Sequence, residues 1–434
     1  MRIALVNPPW SFAGSIYFGC QEPHLPLELG YAQSLLRSTG HVAEIFDAPL
    51  LGLNQQETAQ AVAAFRPGMT VVTTAPTYLF WRCAPPELRV PIAMLRALKA
   101  AGAGGITVAV GPHGSATPRT ALRKLAADVV VMGECEETLV RLAHGEADTL
   151  PGIAWRRDGA IRVNGGQQAA RFTDAPPLIW PKSWLARHHH HHHRFDSAPL
   201  RPGAEVEASR GCPYHCSFCA KENFRDRYRR RQLAPLLAEI DALISAGVAY
   251  IYFIDEIFLP NRPLLEALAA RDLRFGIQTR IDLWKPEMLE LLGRAGCVSI
   301  EAGVESLTAA GRDLLDKDCR VDTETLTATL IEAKRHVAFV QGNLIGVATD
   351  APEQVQEWRE RLREHGVWAN EPVPLFPYPG SPDYRKLWGE ADDDAWERAH
   401  RHYVARHGHF SDIQEENPLP LAELERIATE GAAA

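Results

Sequence analysis

The chain has 434 residues, a formal net charge of -8 and 23% charged residues. This length predicts two or three domains with cores of their own, and the charge lacks the basic excess that is typical of nucleic-acid binders. The sequence shows neither a signal peptide nor an apolar run of membrane-spanning length, and its eight cysteines are too few for a disulfide framework. We therefore expect a soluble protein of the reducing cytoplasm.

Apolar strands alternate with helical stretches in the first third of the chain. The predicted strands are Arg2 to Val6, Val42 to Phe46, Met69 to Thr74, Ile106 to Val110 and Asp128 to Met132. Helical spacing covers Leu29 to Arg37, Pro91 to Ala100 and Thr120 to Ala126. This alternation predicts an α/β fold with a Rossmann-like, doubly wound parallel sheet.

The loops that follow these strands are the ones to inspect, because ligands of doubly wound sheets bind at the carboxyl ends of the strands. The loops read NPPW at 7–10, TTAPTY at 73–78, GPHG at 111–114 and GECEE at 133–137. Glycine allows close backbone approach to a bulky ligand, and small hydroxyl side chains can donate to its polar edges. As a set, the loops predict a ligand site at this edge.

Two connecting segments follow. Residues 152–164 predict a β-hairpin around the turn Asp158-Gly159. A proline-rich linker then runs from Thr173 to Pro202 and contains six consecutive histidines, His188 to His193. The histidine run resembles an affinity tag, but its internal position favours a natural linker run; it could capture metal in solution and is not expected to take part in catalysis.

Three cysteines, Cys212, Cys216 and Cys219, then occur with the spacing C-x3-C-x2-C. A cubane iron-sulfur cluster is normally held by four thiolates, so three nearby cysteines would leave one iron with an open position. Such an open iron can bind a substrate or cofactor. A structural zinc site that uses His215 or the histidine run is an alternative, and a disulfide is disfavoured by the expected compartment.

With Phe218 before its last cysteine, this loop resembles the signature of the radical S-adenosylmethionine (radical SAM) superfamily. The resemblance implies a 4Fe-4S cluster whose open iron chelates SAM, and whose reduction splits SAM into methionine and a 5′-deoxyadenosyl radical. It also implies a flavodoxin- or ferredoxin-like electron donor. Arginines follow at 225, 227, 229, 230 and 231. We favour a solvated helix start for them, with an anion funnel or an acidic-donor dock as the alternative.

The N-terminal loops look like those of the cobalamin-binding domain that precedes the radical SAM domain in one large subfamily. Other cobalamin folds place a cobalt-binding histidine in Asp-x-His-x-x-Gly, but residues 47–52 read DAPLLG. The resemblance therefore implies cobalt without a protein histidine below it; the alternatives are His113 or a covering loop at 78–81. The candidate cobalamin contacts are Thr74, Pro76, Thr77, Tyr78, Trp81, Gly111, Pro112, His113, Gly133 and Glu134.

Six strand and helix units make up a second domain that starts near Glu205. The predicted strands are Glu205 to Ser209, Tyr250 to Ile254, Arg274 to Gln278, Cys297 to Ala302, Ala338 to Leu344 and Val367 to Glu371. Six units suit the partial (β/α)6 TIM-type barrel of radical SAM enzymes, and parallel barrels carry their chemistry at the carboxyl ends of strands.

Polar residues occur at those strand ends. By resemblance, Asp255 and Glu256 are candidates for the SAM amino group, and Arg280 is a candidate for its carboxylate. The full set of candidate SAM contacts is Phe218, Asp255, Glu256, Arg280, Glu301, Gly303, Glu305, Leu344 and Ile345. The alternatives are surface ion pairs and strand-end caps, or plain core for the two apolar residues.

The turn LFPYPGSPD at 375–383 follows the last strand. Tyr378 in this turn is the candidate catalytic residue if it faces the substrate, and packing under the loop is an equal alternative. The end of the chain is predicted to be a small helical cap packed through Trp396, Tyr403 and Phe410. The predicted domains are 1–165 (cobalamin-binding), 166–204 (Pro/His-rich linker), 205–375 (radical SAM barrel) and 376–434 (helical cap).

Together these resemblances imply a cobalamin-dependent radical SAM enzyme with a small-molecule or natural-product-type substrate, and the charge predicts no nucleic-acid partner. The expected reaction is methyl transfer from methylcobalamin to an unactivated carbon. Cyclisation or rearrangement without methyl transfer is one alternative, and a non-catalytic corrinoid or iron-sulfur carrier is another.

Overall fold

The computed structural model describes residues 1–10, 24–76, 86, 88–187, 202–221, 225 and 227–407. These residues form two α/β units, each built on a largely parallel sheet. The predicted fold class, a Rossmann-like unit followed by a partial barrel, is confirmed.

The first sheet has five parallel strands followed by an antiparallel hairpin. Its strands are β1 (Arg2–Asn7), β2 (Val42–Asp47), β3 (Met69–Thr73), β4 (Ile106–Val110), β5 (Val129–Val131), β6 (Ile153–Arg157) and β7 (Ala160–Asn164), in the spatial order β2-β1-β3-β4-β5-β6-β7. β2 lies on one side of β1 and β3 lies on the other side. This change of direction is the topological switch point where open α/β sheets bind ligands.

Helices cover both faces of this sheet. They are α1 (Leu27–Ser38), α2 (Ala48–Leu51), α3 (Gln55–Phe65), α4 (Arg89–Ala100), α5 (Pro112–Ala116), α6 (Pro118–Leu125) and α7 (Glu136–Ala143). Successive residues of β1 enter different cores, Ile3 on one face and Ala4 on the other, as expected of a strand buried on both faces. The predicted turn at Asp158-Gly159 is confirmed, with φ values of 50° and 77° that match a type I′ hairpin.

The second sheet is parallel and open. Its strands are β8 (Gly203–Val206), β11 (Tyr250–Phe253), β12 (Arg274–Thr279), β13 (Cys297–Glu305), β14 (Phe339–Gly346), β15 (Trp368–Ala369) and β16 (Val373–Pro374), and the short antiparallel pair β9 (Ser209–Arg210) and β10 (Arg229–Arg230) lies beside it. The spatial order is β15-β14-β13-β12-β11-β8, with β16 on the end of β14. Within the described residues the edge strands β8 and β15 do not pair with each other, so the barrel is incomplete.

The helices of this unit and of the cap are α8 (Lys182–Leu185), α9 (Leu233–Ser245), α10 (Arg262–Ala269), α11 (Pro286–Arg294), α12 (Ala309–Leu314), α13 (Thr323–His336), α14 (Pro352–Glu364), α15 (Pro382–Trp388) and α16 (Ala395–His407). The outer face of the sheet is apolar: the side chains of Val304 and of Trp358 on α14 both lie next to Gly342 of β14. The inner face is polar, and Gln278, Glu301 and Gln341 occupy one register level across three strands.

The two units share a core. Leu25 and Tyr31 of the first unit belong to the same buried apolar cluster as the barrel. His24 Nδ1 lies 2.8 Å from Glu205 Oε1, and both side chains are buried. Within the described part of the chain, no helix is both long and apolar enough to cross a membrane.

Candidate cofactor cavity

A cavity of about 200 Å³ lies at the carboxyl ends of β11, β12 and β13. Its wall includes many of the side chains predicted from the sequence: Cys212, Cys216, Phe218, Cys219, Glu256, Arg280, Gly303, Glu305 and Tyr378. It also includes Tyr214, Lys221 and Lys317, which the sequence did not single out. The fold therefore gathers the cysteine loop, carboxylates and cations around one space.

A glycine sets the start of the cysteine loop. Gly211 has φ 79°, and a Cβ at this position would overlap the carbonyl of Arg227. Only glycine meets both conditions without strain. The amide of Gly211 donates to Glu256 Oε2 at 2.7 Å, which ties the loop to the end of β11.

Two hydrogen bonds fix the rest of the loop. The amide of Ser217 donates to the Leu315 carbonyl at 2.9 Å. The buried ammonium of Lys221 donates to the Cys212 carbonyl, also at 2.9 Å. The loop is thus anchored from both sides of the cysteine motif.

The donor set fits an iron-sulfur cluster. Burial raises the pKa of Cys212 and raises the pKa of Cys216 to about 11, so these thiols ionise when a cation is there to balance them. In the described residues, no three His, Cys, Asp or Glu side chains converge on a single metal-ion position. A zinc site draws its ligands to one centre, whereas each cysteine of a cubane binds a different iron. The three cysteines that line this cavity fit a cluster with one open iron.

The two acidic residues after β11, Asp255 and Glu256, lie in different environments. Glu256 lines the cavity and accepts from Arg225 Nη1 at 2.7 Å. Asp255 is buried and accepts from the Ala208 amide at 2.8 Å and from the Ser209 hydroxyl. Burial raises the pKa of Asp255 to about 8, against the lowering effect of these hydrogen bonds. Asp255 thus ties β11 to the β8 segment, and it is absent from the cavity wall described above.

Arg280 faces the cavity with most of its donors already engaged. Its guanidinium stacks on the Tyr214 ring, with 3.9 Å to the ring centroid. It donates to both carboxylate oxygens of Asp282 and to the carbonyls of Lys317 and Asp318. One N–H of the five that arginine carries is left for a ligand.

Glu305 and Lys317 form a second charged pair in the cavity. Lys317 Nζ donates to Glu305 Oε1 at 3.1 Å, and Lys317 is 2% exposed. Glu305 has φ 66° at a register shift between β13 and β14. Backbone strain of this kind at a non-glycine residue is typical of functional sites. No local sequence pattern marked Lys317, because its partner lies on another element.

The remaining predicted SAM contacts lie in different surroundings. Glu301 is half-buried on the polar inner face of the barrel. Leu344 belongs to the buried core and its backbone is bonded to the Asn370 side chain, whereas Ile345 is half-buried beside β16. Tyr378 lines the cavity and also packs on Phe376, with ring centroids 4.4 Å apart. The position of Tyr378 is therefore compatible with both predictions, a contact with the substrate and packing under the loop.

At the carboxyl edge of the first sheet, Thr74 and His113 are buried against each other. His113 Nδ1 lies 3.1 Å from the Thr74 hydroxyl. The His113 ring lies 4.6 Å from the Trp396 ring of the cap, and Trp396 Nε1 donates to the Thr117 hydroxyl at 3.1 Å. This histidine therefore helps to dock the cap. The predicted contacts Thr77, Tyr78 and Trp81, as well as Phe410 and His188 to His193, lie outside the described residues.

The glycines of these loops are required by chain crossings. Gly111 has φ 141°, and a Cβ there would overlap the Thr74 hydroxyl. Gly133 has φ 86°, and a Cβ there would overlap the Gln168 carbonyl. Pro112 occupies the first turn of α5, where its missing N–H costs nothing. The other predicted proline, Pro76, is also buried at this edge.

Glu134 joins the first unit to the second. Its carboxylate accepts from the Ala170 amide at 2.7 Å, from Arg229 Nη1 at 2.9 Å and from Arg210 Nη1 at 3.4 Å. Burial alone would raise the pKa of Glu134, but Arg210, Arg229 and Arg225 outweigh it and lower the pKa to about 2. Glu134 is therefore held as a charged carboxylate within the protein.

Two arginines of the basic cluster after the cysteine loop, Arg225 and Arg231, are not solvated, whereas Arg227 and Arg230 are exposed. Arg225 is fully buried and donates to both Glu207 and Glu256. Arg231 is buried as well and donates to Glu239 at 2.7 Å. The prediction is wrong for these arginines because carboxylates distant in the sequence replace water around them.

A family model described as the Radical SAM superfamily matches residues 206–366. An uncharacterized methyltransferase of Pyrococcus horikoshii is 22% identical over 402 residues, which cover 89% of this chain and 82% of that protein. An anaerobic magnesium-protoporphyrin IX monomethyl ester cyclase of Cereibacter sphaeroides is 25% identical over 401 residues, covering 87% of this chain and 63% of the cyclase.

Among solved structures, the radical S-adenosylmethionine methyltransferase TsrM from Kitasatospora setae, with cobalamin and a 4Fe-4S cluster bound, has a similar fold. The TM-score is 0.68 at 17% identity, and the match covers 98% of this chain and 84% of that chain. At this level of identity, the likeness establishes the fold.

Proposed function

We propose that this chain, a radical SAM protein whose barrel follows a domain of the cobalamin-binding type, is a cobalamin-dependent C-methyltransferase. The observation that carries the proposal is the junction between the two sheets. Glu134 follows β5 of the first sheet, whereas Glu207 and Glu256 follow β8 and β11 of the second, and Arg225 lies against all three. The carboxyl edges of both sheets therefore face each other, and a ligand of one sheet meets a ligand of the other.

The assignment of domains follows the same division. We assign residues 1–165 to cobalamin, residues 205–375 to the cluster and SAM, residues 166–204 to the linker and residues 376–434 to the cap. The hairpin β6-β7 ends the first sheet at Asn164, and β8 begins the second sheet at Gly203, which supports these limits.

Cys212, Cys216 and Cys219 would hold the cluster. When bound, the cluster and SAM supply a 5′-deoxyadenosyl radical, and cobalamin supplies the methyl group. Glu256 would accept from the SAM amino group, because the Gly211 amide and Arg225 hold its carboxylate at the cavity wall. This hydrogen-bonded support orients the group before a ligand arrives.

Lys317 and Arg280 would bind the carboxylate of SAM. Lys317 keeps donors beyond its bond to Glu305, and Arg280 keeps one N–H. Both cations are nearly buried, so they attract an anion more strongly than surface cations would. Phe218, Gly303 and Tyr378 complete the proposed wall around SAM and the reacting carbon of the substrate.

The first unit contains a buried group that fits cobalamin. Glu28 in the first turn of α1 is 0% exposed, and neither of its carboxyl oxygens has a hydrogen-bond partner among the residues that the structure describes. Burial raises the pKa of Glu28 and so favours the neutral carboxyl, which can donate as well as accept. Cobalamin carries amide side chains that offer both kinds of partner. We assign Thr74, Pro76, Gly111 and the segment 77–81 to the same ligand.

His113 is engaged with Thr74 and Trp396 in the interior of the protein. Its packing between the first unit and the cap supports cobalt without a protein histidine below it.

We further propose a small-molecule substrate, a flavodoxin- or ferredoxin-like electron donor and a place in the cytoplasm. A one-electron donor is required because the cluster must be reduced before SAM is cleaved.

The decisive experiment is product stoichiometry with reconstituted, reduced protein. Methyl transfer consumes two SAM per product and yields both S-adenosylhomocysteine and 5′-deoxyadenosine. The cyclase relative makes ring closure the second candidate, and 5′-deoxyadenosine without S-adenosylhomocysteine would establish it over methylation. A protein that binds both metal cofactors and cleaves no SAM would instead be a carrier.

A further inference from the structure

We propose that Tyr214, which lies between Cys212 and Cys216 in the sequence, is a positioning residue for SAM binding. Its ring covers one face of the Arg280 guanidinium and holds this cation in the orientation that leaves one N–H for the ligand. The inference rests on the proposed function, because it takes the three cysteines as cluster ligands and Arg280 as a contact of the SAM carboxylate.

The in-plane hydrogen bonds of the Arg280 guanidinium are nearly complete. Nε and Nη2 donate to the two carboxylate oxygens of Asp282, at 3.1 and 2.7 Å. Nη2 also donates to the Asp318 carbonyl at 3.1 Å, and Nη1 donates to the Lys317 carbonyl. Arginine carries one N–H on Nε and two on each Nη. Among the residues that the structure describes, these bonds therefore leave one N–H, which belongs to Nη1.

Hydrogen bonds in the plane leave the two faces of a guanidinium open, and Tyr214 covers one of them. Arg280 Cζ lies 3.9 Å from the centroid of the Tyr214 ring. Arg280 is 5% exposed, so water competes little with this contact. The attraction between a cation and an aromatic face is stronger when water is excluded than at an exposed site. The ring therefore keeps the guanidinium from tilting away from its in-plane partners.

A closed set of contacts joins the cysteine loop to Arg280. The amide of Ser217 donates to the Leu315 carbonyl at 2.9 Å. Two further carbonyls of the segment 315–318 accept from Arg280. Arg280 in turn stacks on Tyr214, which belongs to the same loop as Ser217. The cation is thus held by the cysteine loop on its face and by the bonded segment in its plane.

The segment that supplies these carbonyls has an unusual backbone. Asp316 has φ 49° and Asp318 has φ 48°. Such values are uncommon outside glycine, although aspartate adopts them more readily than most residues. Residues held in this region cluster at functional sites. Backbone strain therefore occurs in the segment that fixes the cation, which supports a functional reason for its placement.

A donor that is already held in place lowers the cost of binding. An unrestrained arginine loses rotamer freedom when it binds a carboxylate, but Arg280 has lost that freedom on folding. The ammonium of Lys317 lies in the same cavity wall and is a compact charge that imposes little direction. The Nη1 donor of Arg280 therefore sets the direction of the SAM carboxylate, and Tyr214 maintains it.

The test measures SAM binding to the reconstituted full chain. The readouts are the dissociation constant from equilibrium dialysis with labelled SAM, and the iron and sulfide content per chain. Tyr214→Leu removes the aromatic face, whereas Tyr214→Phe keeps it. We expect Tyr214→Leu to raise the dissociation constant for SAM about tenfold at unchanged iron content. We expect Tyr214→Phe to stay within about twofold of the unaltered protein.

Two controls connect the loss to Arg280. Tyr228→Leu removes a ring whose centroid lies 5.8 Å from Cζ of the exposed Arg230, and it should leave SAM binding unchanged. Arg280→Lys keeps a positive charge beside Asp282 but has no planar guanidinium to orient. In the Arg280→Lys background we expect Tyr214→Leu to cause no further loss, because residues that act through one another are not additive.

An unchanged dissociation constant for SAM in Tyr214→Leu would overturn the inference. An equal loss in Tyr214→Phe or in Tyr228→Leu would also overturn it, as would a full additional loss in the Arg280→Lys background. A lower iron content in Tyr214→Leu would assign the ring to cluster assembly and overturn the positioning role. If the unaltered, iron-loaded protein bound no SAM, the proposed function would fail instead.

Discussion

Glu134 is the clearest single test of how the two units are joined. We predict that Glu134→Gln destabilises the protein, because the amide keeps the shape of the side chain and removes the charge that faces Arg210 and Arg229. A carboxyl whose pKa falls from 4.5 to about 2 on folding is stabilised by about 3 kcal/mol at neutral pH. The same magnitude follows from breaking a buried ion pair, which costs roughly 3–5 kcal/mol.

The pH dependence gives the prediction a second, independent readout. The folded-state pKa of Glu134 is depressed, so its contribution is fully present above pH 4.5 and is lost as the pH falls through about 2. The free-energy gap between the unaltered protein and the variant should therefore shrink by roughly half between pH 7 and pH 3.

The assay is urea unfolding, followed by tryptophan fluorescence at both pH values. The control is Glu324→Gln, since Glu324 makes a similar bidentate pair with Arg361 on the protein surface. Exposed pairs contribute little, so the control should be nearly neutral. A Glu134→Gln variant as stable as the control, or a gap that does not change with pH, would refute the electrostatic account.

Three further predictions concern the cofactors and the loops. Cys212→Ala should abolish cluster absorbance and SAM cleavage while cobalamin absorbance is retained, with Cys319→Ala as the control; equal loss of cobalamin would contradict the two-unit assignment. Gly111→Ala should lower the free energy of unfolding by at least about 2 kcal/mol, because the φ of 141° and the Thr74 hydroxyl exclude a Cβ at this position. The control is Gly166→Ala, whose Cβ would meet no neighbour and which should be nearly neutral in the same urea titration. Glu28→Leu should stabilise the cofactor-free protein by about 1–3 kcal/mol, since it removes a buried carboxyl without a partner among the described residues. The same variant should bind cobalamin more weakly in a visible-absorption titration. Unchanged affinity would show that Glu28 does not contact the corrinoid.

Much of the fold could be predicted because the relevant signals are local. The strands from Arg2–Asn7 to Val129–Val131 are short apolar runs, and their boundaries match the predictions to within one or two residues. The barrel strands follow the same pattern, although β8 begins at Gly203, two residues before the predicted start. Strand and helix periods are properties of consecutive residues, so they survive without knowledge of the tertiary structure.

The site was predicted less completely, for a physical reason. Glu256 and Asp255 are adjacent and chemically similar, but of the two only Glu256 lines the cavity. The Asp255 carboxylate instead accepts a hydrogen bond from the Ala208 amide. No sequence pattern indicated Lys317, because its partner Glu305 is on another element. Which of two neighbouring side chains faces a ligand depends on the orientation of the strand end.

By itself, the sequence determined the cysteine spacing, the alternation of strands and helices and the identity of the loops at the strand ends. Those features need only short stretches of chain. The tertiary structure alone decided that Arg225 and Arg231 are buried, and that Arg225 lies between the carboxylates of two sheets. Charge pairing across long sequence separations depends on how the sheets assemble, because a guanidinium loses its water only when distant carboxylates are brought to replace it.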